Sequence, residues 1–195
     1  MALNERSIMK LKKANAIAGL LSALFLLAHI GYNVFCYLTF FYDPMLKVVF
    51  SLPCIVLVCV HAVLGMLTLF LSSDGTRLDD YPKQNRRTIL KRVSAALIFP
   101  LLIVHVSSFG FMQQNAQAGN TLPIVLLIVV EVLFFAVVLT HIATSLTAGL
   151  ITLGLLESRE VQVRMDRVIY VIGALVFAVS SYSVASGHVA MFLLG

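Results

Sequence analysis

The sequence predicts an all-α fold, an integral membrane bundle of five transmembrane helices with a cytoplasmic N-terminus and an external C-terminus. Three observations predict it. Of 195 residues, 60% are hydrophobic and 12% charged, with a mean hydropathy of +0.98, a balance outside the range of ordinary soluble domains. Five apolar runs each reach the roughly 20 residues that cross a bilayer core. Basic residues fall almost wholly on alternate connections. The runs are far longer than barrel strands and lack their polar–apolar alternation, which leaves helices as the spanning elements.

The first run, near 14–41, follows Arg6, Lys10, Lys12 and Lys13. It is too long for a signal-peptide core and has no short cleavage site behind it, so it is read as a spanning helix with the mature protein beginning near Met1. The second run lies near 47–72. A polar connection with Arg77, Lys83, Arg86, Arg87 and Lys91 leads to Arg92 and a third run near 92–113. The fourth run is near 121–156, and Arg159, Arg164 and Arg167 precede the fifth, near 167–194. Of the fourteen basic residues, all but Lys47 sit on one side, a positive-inside pattern that places that side in the cytoplasm. The net charge of +5 therefore reports topology, with a basic face open to anionic lipid or an acidic protein; nucleic acid is not an expected partner. No internal repeat appears, and residues 1–195 read as one domain in a multi-pass membrane protein.

Cys36, Cys54 and Cys59 have no CxxC spacing and read as packing thiols, not as a disulfide, zinc or cluster framework. The histidines carry more. His29, His61, His105 and His141 fall one per helix near mid-membrane in the first four runs. A single buried His is commonly a packing residue bonded to a carbonyl. Four together match, without remainder, two haems with two axial imidazoles each. Such haems have no open iron position and pass electrons. Small residues share faces with two of them: Gly65 and Thr68 with His61, and Ser145, Ala148, Gly149 and Thr152 with His141. Close helix packing would ask for the same stripe. Depth along the helices puts His61 and His141 slightly nearer the cytoplasm, and His29 and His105 nearer the outside; a few ångströms do not settle the pairing.

Other polar groups within the runs are candidates because lipid makes them costly. Glu131, in the outer half of the fourth helix, is a candidate quinone or proton-path residue, or else a protonated carboxyl bonded locally. Arg92 and Lys91 open the third helix, where they can meet haem propionates or serve as cytoplasmic anchors. His188 reads as an interfacial or packing residue with quinone contact as the alternative, and Asp43 as a turn residue.

The segments AHIGYNVF around His29, HAVLGMLTLF from His61, KRVSAALIFPLLIVHV ending past His105 and HIATSLTAGLITLGLL from His141 carry a resemblance that spans nearly the whole chain. It resembles the five-helix, single-subunit dihaem cytochrome b membrane anchors of succinate:quinone and quinol:fumarate oxidoreductases. The third segment is the most specific, with Arg92 thirteen positions before His105 and Ser94 in the hydroxyl position. The resemblance implies two haem b groups, His61 with His141 for the inner one and His29 with His105 for the outer one. Arg92 and Ser94 would contact propionate or quinone. It further implies a flavoprotein subunit and an iron–sulfur subunit on the cytoplasmic face, and quinone, commonly menaquinone, as substrate. The chain has no flavin or cluster motif, so it would be catalytic only with those partners.

The pattern departs from the family at Ala95 and Ser145, where Gly is usual, and in the entry KLKKANA. Leu139 replaces the acidic residue that some proton-coupled members carry two positions before the last ligand. Two other readings remain: a related cytochrome b linking quinol to another flavoprotein, and a non-haem transporter or sensor whose histidines relay protons or pack.

Overall fold

The computed structural model describes residues 5–71 and 82–194. They form α1 (Glu5–Thr39), α2 (Pro44–Leu71), α3 (Pro82–Gln117), α4 (Thr121–Thr152) and α5 (Arg159–Phe192). All five are long and apolar enough to cross a membrane. Met1, Ser72, Arg77 and the side chain of Lys83 lie outside the described residues.

The elements match the predicted runs in number and order but not in length. α1, α3 and α5 begin about two turns or more before their apolar stretches, because Lys, Arg, Glu and Gln are good helix formers and continue the backbone ladder beyond the apolar segment. α4 stops earlier than its hydropathy predicts, at Thr152 instead of 156. Gly154 adopts φ +76°, Leu155 N–H donates to the Leu150 carbonyl at 3.0 Å, and Gly154 N–H donates to Ile151 at 2.9 Å. This Schellman arrangement satisfies the last carbonyls and ends the helix inside an apolar run. Gly119, at φ +72°, closes α3 in the same way through Asn120 N–H and Asn115 O at 2.9 Å.

Asp43 caps α2, its Oδ1 accepting from Met45 N–H at 2.8 Å and Leu46 N–H at 3.2 Å, with Pro44 at the first helical position. The Tyr32 hydroxyl donates to Asp43 O at 2.6 Å and accepts from Asp43 N–H at 2.9 Å, which ties the turn to α1. Ser158 caps α5 by accepting from Val161 N–H at 3.3 Å.

α1 packs on α2, α3 on α4, and α4 on α5, while α1 also meets α4 and α5. The principal neighbour of α2 is thus α1 and that of α3 is α4, which leaves an interior space between the two pairs. At the basic end an ion pair ties three helices. Arg87 on α3 forks onto Asp166 of α5 at 2.8 and 2.9 Å and donates from Nε to Thr144 O on α4 at 2.9 Å. Thr147 of α4 donates to the same carboxylate at 2.5 Å. The outward faces carry Met45, Phe70, Ile103, Leu175 and many other exposed large apolar side chains, the surface expected where hydrocarbon is the solvent.

Candidate functional site

A cavity of about 960 Å³ occupies the bundle interior, reaching from Lys12 and Lys91 at the basic end to Lys47 near the other. That volume lies at the upper end of the ~300–1,000 Å³ typical of cofactor sites. His29, His61, His105 and His141 all line it.

The four imidazoles form two close pairs. His61 on α2 and His141 on α4 have ring centroids 6.1 Å apart; His29 on α1 and His105 on α3 have theirs 6.4 Å apart. A metal–imidazole bond is about 2.0 Å and a ring centroid sits roughly 1.2 Å behind its bonded nitrogen, so two imidazoles on opposite faces of one iron have centroids about 6.4 Å apart. Both spacings agree with that value. The planes within each pair meet at 63° and 83°, angles that rotation about a common axial direction permits.

A ligating His usually donates its second ring N–H to a carbonyl or carboxylate, which fixes tautomer and orientation. Three of the four rings have that partner. His61 Nδ1 lies 3.1 Å from the Asn15 carbonyl of α1. His141 Nδ1 lies 3.1 Å from the Lys91 carbonyl of α3, with Ser94 Oγ at 3.3 Å. His105 Nδ1 lies 2.6 Å from Glu131 Oε2 of α4. Each of these contacts leaves Nε2 for the cavity. His29 instead neighbours Asn33 one turn on, whose Nδ2 is 3.2 Å from Nε2, 3.4 Å from Nδ1 and 2.7 Å from the His29 carbonyl.

No protein-family model, curated protein or solved structure matches the chain.

The remaining candidates divide by place. Arg92 lines the cavity at its basic end. Ser94 is buried beside His141 and donates back to Leu90 O at 2.7 Å, so its hydroxyl is engaged with its own helix and with the imidazole. Glu131 is 2% exposed; Oε1 has no hydrogen-bond partner among the described residues. His188 is equally buried, sharing a 2.8 Å hydrogen bond between Nε2 and the Tyr37 hydroxyl while Nδ1 has no partner among them. Both line the cavity away from the end marked by Lys12, Lys91 and Arg92.

Sequence reasoning missed Gly19 and Gly187. A Cβ at Gly19 would lie 2.8 Å from His61 Cε1, and one at Gly187 would lie 2.5 Å from a Tyr37 ring carbon. Gly65 and Gly149, expected to make room, would meet only ordinary contacts with Asn15 and Ala16 at 3.7 and 3.9 Å. The telling glycines face rings from another helix, a relationship that no spacing along one helix displays. Among the described residues no cluster of three or more His, Cys, Asp or Glu could hold a metal ion. Two-histidine axial ligation needs only a pair for each iron.

Proposed function

We propose that the chain is a dihaem cytochrome b membrane anchor of a succinate dehydrogenase or fumarate reductase complex. It would pass electrons between a cytoplasmic flavoprotein and iron–sulfur pair and membrane quinone, with menaquinone the expected type. The observation that carries this reading is the double pairing of imidazoles at axial spacing in one cavity. The residues present fit two haem groups: four imidazoles in two pairs at axial spacing, three with their second nitrogen already oriented.

In this reading His61 and His141 hold the inner haem, and His29 and His105 the outer. Bis-imidazole haem supplies one-electron transfer without an open coordination position. The chain positions the rings, keeps water from the interior with its apolar helices, and offers Arg92 to a propionate at the basic end. The positive-inside bias supports placing that end in the cytoplasm of a bacterial inner membrane, where its charge suits acidic subunits. Glu131 Oε1 and His188 Nδ1, buried at the outer end, are the groups a quinone oxygen would meet.

The test is a reduced-minus-oxidised spectrum of purified protein with haem quantified per chain. About two b-type haems are expected; folded but colourless protein from haem-replete cells would overturn the reading. That result would favour a haem-free proton carrier, a second reading supported by the 2.6 Å His105–Glu131 contact.

A further inference from the structure

The two histidine pairs differ in what stands behind them. At the basic end both rings donate to neutral main-chain carbonyls, His61 to Asn15 and His141 to Lys91. In the other pair His105 faces a carboxylate, Glu131 Oε2, at 2.6 Å. Glu131 lies in the first half of α4, on the element that packs against α3, and is 2% exposed. Its other oxygen has no hydrogen-bond partner among the described residues, so the carboxylate is directed at His105. Burying such a group in an apolar bundle costs several kcal/mol unless it is bonded, and the bond it makes is to a ring of the proposed ligand set.

We infer that Glu131 is a positioning residue that lowers the midpoint potential of the His29–His105 centre. The inference rests on the dihaem reading. A carboxylate accepting Nδ1–H draws that proton away from the ring and raises the basicity of Nε2, which strengthens donation to a metal. Stronger donation favours the ferric over the ferrous state. The carboxylate charge acts in the same direction, since a nearby negative charge in a medium of low dielectric favours the more positive oxidation state. Neutral carbonyls at the other pair supply neither effect to the same degree. In this role Glu131 acts through His105 by its Oε2, apart from the Oε1 that a quinone oxygen would meet.

The experiment is potentiometric titration of the purified haem-loaded protein, followed optically and by the low-spin ferric electron paramagnetic resonance signals, for the native chain and Glu131→Gln. The amide keeps the shape and an acceptor oxygen but removes the charge. Two haems per chain are expected to remain. One midpoint potential should rise by at least about 60 mV, a tenfold change in a one-electron equilibrium at about 59 mV per decade. The same haem's resonance signal should shift while the other haem is unmoved. Glu131→Asp, which keeps the charge and shortens the reach, should shift the same haem less. Should E131Q fail to fold, E131D carries the test alone, with a rise confined to one haem as the supporting result. Two haems retained with both potentials unchanged, or both shifted together, would overturn the role of Glu131 and leave the dihaem reading intact. A native chain without haem would overturn that reading itself.

Discussion

Gly19 on α1 lies against the edge of the His61 ring on α2, where an added Cβ would come within 2.8 Å of Cε1 and 3.0 Å of Nδ1. This contact sets the ring's height over α1 and brings Nδ1 to the Asn15 carbonyl one turn earlier. Gly19→Ala therefore has two opposed effects. It improves intrinsic helix propensity by about 1 kcal/mol, and it pushes the imidazole out of register. The expected outcome is unchanged or higher helical content by circular dichroism with loss of one haem per chain. Retention of both haems would show that the ring can yield without cost.

Single replacements of the four histidines should sort into two classes. On the dihaem reading, His61→Ala and His141→Ala are expected to remove one haem, and His29→Ala and His105→Ala the other, because the ring centroids of those pairs lie 6.1 and 6.4 Å apart. Spectra of the four variants should superimpose two by two. Loss of both haems from every variant would contradict two independent pairs.

His188→Ala should behave unlike all four. The ring is bonded to Tyr37 at 2.8 Å, and its ring neighbours among the described residues are Tyr37, Phe109 and Phe192. Both haems should remain, while quinone-dependent electron transfer by the assembled complex falls at least several-fold. Tyr37→Phe leaves the buried His188 without its bonded partner, at a cost of about 1–3 kcal/mol readable as earlier loss of helicity on heating.

The ion pair at the basic end offers a stability test without cofactor. Asp166 is bonded by Arg87 through two nitrogens and by Thr147, and both members of the ion pair are partly exposed. Asp166→Asn should destabilise the bundle by about 1–2 kcal/mol. Arg87 also donates to Thr144 O, and Thr144 in turn donates to the His141 carbonyl at 3.1 Å. A double-mutant cycle of Arg87 and Asp166 should accordingly show coupling in thermal stability. Full additivity would mean that the fork contributes nothing.

Helix number and order were legible in the sequence because lipid leaves few ways to satisfy a buried backbone, and apolar length reports the crossing directly. The ends were less legible. Hydropathy could not see that Gly154 would stop α4 within a leucine-rich run, nor that the lysine-rich start of α1 would continue as helix. The four site histidines stood out because a polar ring in an apolar run is rare, and they lie together around one cavity. Depth favoured the observed pairs by only a few ångströms. The partner of Glu131 was hidden for another reason: His105 is 26 positions away, and only the packing of α3 on α4 brings the two together.

At the basic end the orienting groups are the carbonyls of Asn15 and Lys91, atoms that every amino acid possesses. An alphabet of side chains has no letter for them. Positions 15 and 91 can therefore drift during evolution with little effect on how His61 and His141 point, provided that the helical backbone stays in place. Glu131, by contrast, writes its contact in a side chain, and a single base change can erase it. One histidine pair of this protein is sheltered from mutation in its supports while the other is exposed to it, so descendants of this sequence can alter the setting of the second without disturbing the first.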